Sequence, residues 1–162
     1  MNYSITIKTT SVKETIAIGK KLGKLMSPGD VIYLTGELGA GKTCFVKGIA
    51  EGLGIRGKDI TSPTFIIINE YKGKIPLYHI DLYRIGVIED LRDIGMDEIV
   101  YGKGVTAIEW AERIKDVLPD ERLDITLKWV DDKTRSIEIR AFGHHHKEIL
   151  DKLGEGKSSS HG

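Results

Sequence analysis

A chain of 162 residues, 30% of them charged and with a net charge of +0, has the size of one domain with a real core. The balance of signs excludes a protein that holds nucleic acid by bulk electrostatics, which takes clustered lysine and arginine, but leaves room for a nucleic-acid pathway in which another subunit does the holding. A single cysteine, Cys44, excludes an internal disulfide and fits a reducing, cytoplasmic compartment, and no apolar stretch approaches the roughly 20 residues that span a bilayer.

Tyr3, Ile5 and Ile7 alternate with polar residues, the period of a half-buried strand, and this start lacks the basic head and apolar run of a secretory leader. Thr10 or Ser11 caps a helix expected to reach about Met26, with Glu14 as capping-box partner to Ser11. Its apolar stripe is Ile18, Leu22 and Leu25, extended by Val12 and Ile16. After the turn Ser27-Pro28-Gly29-Asp30 comes an apolar strand over 31–34, then a Gly-rich loop, then a helix over 43–53 ended by Gly52 and Gly54. Cys44, near the start of that helix, reads as a small packed residue. Residues 56–59 form a charged loop and Thr61-Ser62-Pro63-Thr64 a polar segment.

Strands over 65–71 and 75–80 flank the turn Lys72-Gly73-Lys74 and predict a hairpin. Residues 88–99 are mostly acidic with a helical pattern. A short buried strand over 105–108 ends at Glu109-Trp110, and a short helix closes at Leu118-Pro119. Strands over 123–130 and 135–142 make a last hairpin across Asp131-Asp132-Lys133-Thr134. His144-His145-His146 reads as a surface cluster, because three adjacent side chains diverge on any regular element. Residues 154–162, rich in Gly, Ser and Lys, are expected to be a mobile tail. Parallel crossovers in the middle with hairpins outside predict an α/β fold, a mixed sheet sandwiched by helices.

The chemistry is concentrated at Gly36-Glu37-Leu38-Gly39-Ala40-Gly41-Lys42-Thr43, which fits the phosphate-loop pattern G-x-x-x-x-G-K-[ST] and sits between a strand and a helix, the setting that gives the pattern its meaning. Gly36, Gly39 and Gly41 let the backbone approach phosphates without a Cβ in the way. Successive N–H groups then make an anion nest at the positive end of the next helix. Lys42 supplies a charge to the β- and γ-phosphates, and the Thr43 hydroxyl is a Mg²⁺ ligand in such loops. Phosphoryl chemistry also needs carboxylates, and two strands end in one: Asp81 and Glu109. In open α/β sheets ligands sit beyond the carboxyl ends of the strands, so both acids are candidates for the metal or for the attacking water. Thr64 and its neighbours read either as a switch segment or as a plain loop. Arg84 has three readings: a phosphate contact, a tether for Asp93 or Asp97, or a partner surface. Trp110 reads as core, and Lys133 and Arg135 as nucleotide contacts or solvated surface charge.

The loop, followed by Ser62-Pro63-Thr64-Phe65, then His79-Ile80-Asp81-Leu82-Tyr83-Arg84, then Ile108-Glu109-Trp110, closely resembles the TsaE (YjeE) family of bacterial P-loop ATPases, over residues 10–142. The resemblance implies a three-layer P-loop NTPase-like sandwich occupying residues 1–143, with residues 144–162 as an extension, helical and then disordered. It implies an ATPase required for threonylcarbamoyl modification of the tRNA adenosine beside the anticodon, acting with TsaB and TsaD and meeting tRNA only through that complex. Carried over by position, the nucleotide-binding residues are Gly36, Glu37, Leu38, Gly39, Ala40, Gly41, Lys42, Thr43 and Cys44, with Ser11 and Val12 on the adenine side and Thr64, Lys133 and Arg135 as further contacts. Lys42, Asp81 and Glu109 are the catalytic candidates, and Thr43, Asp81 and Glu109 the Mg²⁺ candidates. No motif forces an arginine toward the γ-phosphate, so turnover by the isolated chain is expected to be slow. Two other readings fit a phosphate loop with two acids: a small-molecule or nucleotide kinase, disfavoured by the short acidic stretch after Asp81, and a non-catalytic nucleotide-sensing subunit.

Overall fold

The computed structural model describes residues 3–36, 40–56, 68–81, 96–109 and 119–159. The two most continuous apolar runs become its central strands, β2 (Val31–Gly36) and β5 (Val105–Glu109), which pair in parallel. Every residue of β5 is buried, as expected of a strand covered on both faces. Strand β6 (Arg122–Trp129) runs parallel to β2, and β4 (Leu77–Asp81) parallel to β5. The flanks are antiparallel: β7 (Arg135–Phe142) links β6 to β1 (Tyr3–Thr9), and β3 (Ile68–Tyr71) pairs with β4. The sheet order is β1-β7-β6-β2-β5-β4-β3. This is the mixed α/β sheet the sequence predicts, with its parallel centre and both hairpins.

Helices α1 (Val12–Leu25), α2 (Lys42–Gly52) and α4 (His144–Ser159) share one core with the sheet, through Leu22, Phe45, Ile49, Leu150 and Leu153 against Ile32, Leu34, Ile125 and Ile139. On the opposite face Tyr33, Ile80 and Ile108 are also buried. A short helix, α3 (Met96–Val100), precedes β5. The predicted elements that fall within residues 57–67, 82–95 and 110–118 lie outside the described residues.

Helix α1 starts as its cap predicts. The Ser11 hydroxyl accepts the Glu14 N–H at 3.1 Å, while the Glu14 carboxylate accepts the N–H of Thr10 at 2.8 Å, one residue earlier than in a standard capping box. The predicted stripe holds at Leu22, which is buried, and at Ile18 and Leu25, which pack against the core, but not at Val12. Thr15, Gly19, Leu22 and Gly23 are buried, whereas Val12 is 63% exposed. Val12 is the first residue of the helix, ahead of the contact with α2, and that contact is a glycine seam. Gly19 and Gly23 of α1 lie against Gly48 and Gly52 of α2 so closely that a Cβ at Gly48 would stand 2.2 Å from the Ile16 carbonyl oxygen. Gly52 therefore serves packing inside α2, and the chain turns at Gly54, with φ +85°.

The histidine run is corrected as well. His144 is exposed, but His145 donates to Asp30 at 3.0 Å and His146 is buried. The polar triplet opens α4, whose apolar residues Ile149, Leu150 and Leu153 dock on the core, so one turn of the helix carries His146 inward with them. Tyr3 of β1 donates to Asp151 of the same helix. The backbone of α4 runs on through Ser159, past the point where composition alone suggested a tail, because extending an anchored helix costs far less than starting one.

Candidate phosphate-binding site

Strands β2, β4 and β5 end at the same edge of the sheet, so Gly36, Asp81 and Glu109 stand on neighbouring tips. Asp81 and Glu109 are register partners across the β4–β5 ladder. Both lie on the face that carries α2, since Leu77, Val105 and Ala107, which stand an even number of residues before them on their strands, pack into the helix-side core.

From Gly36 the chain enters the loop. Glu37, Leu38 and Gly39 lie outside the described residues, as does Thr64. It re-emerges at Ala40, which is fully buried, and Gly41, the N-cap of α2. Gly41 has φ +99° and ψ +17°, a left-handed conformation that side chains other than glycine rarely adopt. At Gly36 the constraint is space: a Cβ would meet the Leu127 carbonyl oxygen at 2.8 Å and Lys42 Cγ at 3.4 Å. Lys42, Thr43 and Cys44 occupy the first turn of α2, at the positive end of the helix. That arrangement is suited to an anion.

Lys42 and Glu109 meet, with Nζ 3.2 Å from Oε1. The other carboxylate oxygen, Oε2, accepts from His79 Nε2 at 2.7 Å. His79 is fully buried and Glu109 nearly so. Burial pushes the Glu109 carboxyl upward, but the His79 hydrogen bond and the Lys42 charge outweigh it, and the group titrates below its ordinary value. Glu109 is thus an ionised acid held by a histidine on one side and a lysine on the other.

The start of α1 abuts the loop, because a Cβ at Gly41 would come within 3.8 Å of Thr15 Cγ2 and 3.7 Å of Leu127 Cδ2. Ser11 and Val12 are one turn away, with Ser11 engaged in capping and Val12 open to solvent. Arg135 pairs in register with Trp129 and with Thr9, at the same edge of the sheet. Its guanidinium donates to the carbonyls of Asp131 (2.6 Å) and Thr134 (3.0 Å), and the Lys133 N–H donates to Asp131 Oδ1, so Arg135, the first residue of β7, braces the turn that holds Lys133. Sequence reasoning missed His79. The signal was present, since His79 precedes Asp81 by two residues on a strand and so shares its face. Arg84 and Trp110 lie outside the described residues.

A parallel-centred α/β sheet, a glycine-built loop from strand to helix, a lysine on the helix's first turn and two acids on adjoining strand tips define a P-loop-type protein. Residues 9–137 match the family described as threonylcarbamoyl adenosine biosynthesis protein TsaE. The chain is 46% identical over 147 residues to the tRNA threonylcarbamoyladenosine biosynthesis protein TsaE of Bacillus subtilis, covering 90% of this chain and 91% of that one. It is 47% identical over 129 residues to the protein of the same name from Treponema pallidum, covering 80% of this chain and 95% of that one. The crystal structure of Bacillus subtilis YdiB superposes with a TM-score of 0.81 at 41% identity, covering 97% of this chain and 98% of that one. The chain belongs to the TsaE family.

Proposed function

We propose that the chain is a Mg²⁺-dependent ATP-hydrolysing subunit required for threonylcarbamoyl modification of the tRNA adenosine beside the anticodon, working with TsaB and TsaD in the cytoplasm. The observation that carries this reading is the convergence of Gly41, Lys42 and Thr43 with Asp81 and Glu109 at one sheet edge. The names of the relatives, tRNA threonylcarbamoyladenosine biosynthesis proteins, supply the pathway.

The residues fit the group they are asked to hold. Gly36 and Gly41 leave room at the helix N-terminus where a Cβ would clash or strain the backbone, and Lys42 sits beside that space. Thr43, Asp81 and Glu109 offer the oxygen donors that Mg²⁺ prefers. The ion, when bound, neutralises charge on the phosphate oxygens. Lys42 adds its own charge to that task. One strand-tip acid orients water for attack while the other serves the ion. Burial of Glu109 strengthens whatever polar contact it makes there. The absence of a motif-placed arginine makes a partner the natural source of added rate, since such a charge is worth about 10³–10⁵ in turnover elsewhere.

Phosphate release measured with and without a TsaB–TsaD complex and tRNA tests this reading. Turnover should be slow alone, rise with the partners, and disappear in Lys42→Ala and Asp81→Ala chains that remain folded. Full turnover in either folded variant, or equal rates with and without partners, would remove it.

A further inference from the structure

Lys42 and Glu109 are the two groups that the proposed chemistry needs on opposite duties, one on phosphate and the other on the ion or the water. Here they hold each other at 3.2 Å. The geometry behind the contact is directional. An ionised carboxylate only accepts, so His79 Nε2 carries the hydrogen that bonds Oε2 at 2.7 Å. His79 has no exposed surface, and its Nδ1 has no hydrogen-bond partner among the described residues. Leaving a buried polar atom unpaired is costly, so a histidine kept in this place must act through its other nitrogen. That nitrogen fixes the torsion of the Glu109 carboxylate. With Oε2 pinned, Oε1 is left facing the first turn of α2, where Lys42 is.

We infer that the Lys42–Glu109 pair is a latch at the head of α2, with His79 as the positioning residue that presents Glu109 to the lysine, and that the phosphates of an incoming nucleotide take the lysine from the carboxylate. The inference rests on the nucleotide-binding reading of the loop. Two consequences follow from the exchange. Nucleotide must compete with an internal anion for Lys42, which weakens its binding. Departure of the lysine also uncovers Glu109 Oε1 only when phosphate has arrived, so the acid becomes available to the reaction when the loop is loaded and stays occupied when it is empty.

The test is ADP binding by isothermal titration calorimetry in excess EDTA, which keeps any metal role of Glu109 out of the measurement. Glu109→Gln replaces a charge-assisted bond to Lys42 with a neutral one about half as strong, and should tighten ADP about tenfold. His79→Leu keeps the Glu109 charge but removes its anchor, and should tighten ADP by a few fold. His79→Gln, whose amide nitrogen reaches as far as Nε2, should restore wild-type affinity. Circular dichroism checks each fold, and if His79→Leu fails to fold the Glu109→Gln arm decides alone. Unchanged or weaker ADP binding by Glu109→Gln overturns the latch while wild-type binding keeps the nucleotide site. Tightening by Glu109→Gln with no change in a folded His79→Leu overturns the role given to His79, because charge removal alone would then account for the effect. Wild-type chain that binds no ADP overturns the site reading and the latch together.

Discussion

The phosphate loop is carried by α2, and α2 is seated on α1 through four glycines, so one added methyl group tests the frame of the site. In Gly48→Ala the new Cβ would lie 2.2 Å from the Ile16 carbonyl oxygen and 2.9 Å from Gly19 Cα. Both neighbours are backbone, and neither can rotate aside, so the helices must separate by close to an ångström. Alanine in a helix interior is favoured over glycine by about 1 kcal/mol, which opposes the clash. Overpacking a well-packed contact costs about 1–3 kcal/mol, and a clash against backbone belongs at or above the upper end. A net loss of about 2 kcal/mol is the expected balance. For a chain of this size that corresponds to a fall in Tm of roughly 4–8 °C. Separation also moves Thr15 away from Gly41, so ADP affinity should fall along with stability. Differential scanning calorimetry and ADP titration on the purified variant supply both numbers. An unchanged or raised Tm would refute the seam, because propensity alone would then decide the outcome.

Two further outcomes concern pH. Glu109 has a folded-state pKa below its ordinary value of 4.5, so its contribution to stability is present above that value and is lost as pH falls through the lowered pKa. In urea melts from about pH 7 down to about pH 3, wild type should therefore exceed Glu109→Gln at neutral pH, with the gap closing below about 4.5; a gap independent of pH would contradict the ion-pair account. His146 acts in the same direction at higher pH: burial lowers its pKa from 6.5, against the opposing pull of Asp30 and Glu121 and with the help of His145. The unfolded chain then takes up a proton that the folded chain resists, so stability falls as pH drops below 6.5. His146→Phe should flatten that slope, and an unaltered slope in the variant would show that His146 is not its source.

Much of the fold was legible because the signals were local. The alternation of Tyr3, Ile5 and Ile7, the unbroken run Val31–Leu34, and turn chemistry at Lys72-Gly73-Lys74 and Asp131–Thr134 all report the burial of a residue by its own strand or turn. What stayed hidden depends on pairs distant in sequence. The glycine seam is invisible from α1 alone, since Gly19 and Gly23 look like weak points in an apolar stripe until Gly48 and Gly52 are set against them. His146 was misplaced for the same reason: its burial is decided by Ile149, Leu150 and Leu153 further along α4 and by the proximity of Asp30, 116 positions away in the chain. At the site, the loop spacing and strand-ending acids announced Gly36, Gly41, Lys42, Asp81 and Glu109. The register that puts Asp81 beside Glu109 and the hydrogen bond that ties Glu109 to His79 are products of the parallel β4–β5 pairing, which no single segment encodes.

We propose that the glycine loop at the head of α2 grips nucleotide phosphates beside two strand-tip acids. A crystal structure of the chain with Mg²⁺ and a non-hydrolysable ATP analogue tests it most directly. The expected result is phosphate oxygens against the N–H groups at Gly41–Thr43, Lys42 Nζ moved from Glu109 to phosphate, and Asp81 and Glu109 facing the ion. Analogue bound elsewhere, with Lys42 still on Glu109 beside an empty loop, would contradict it.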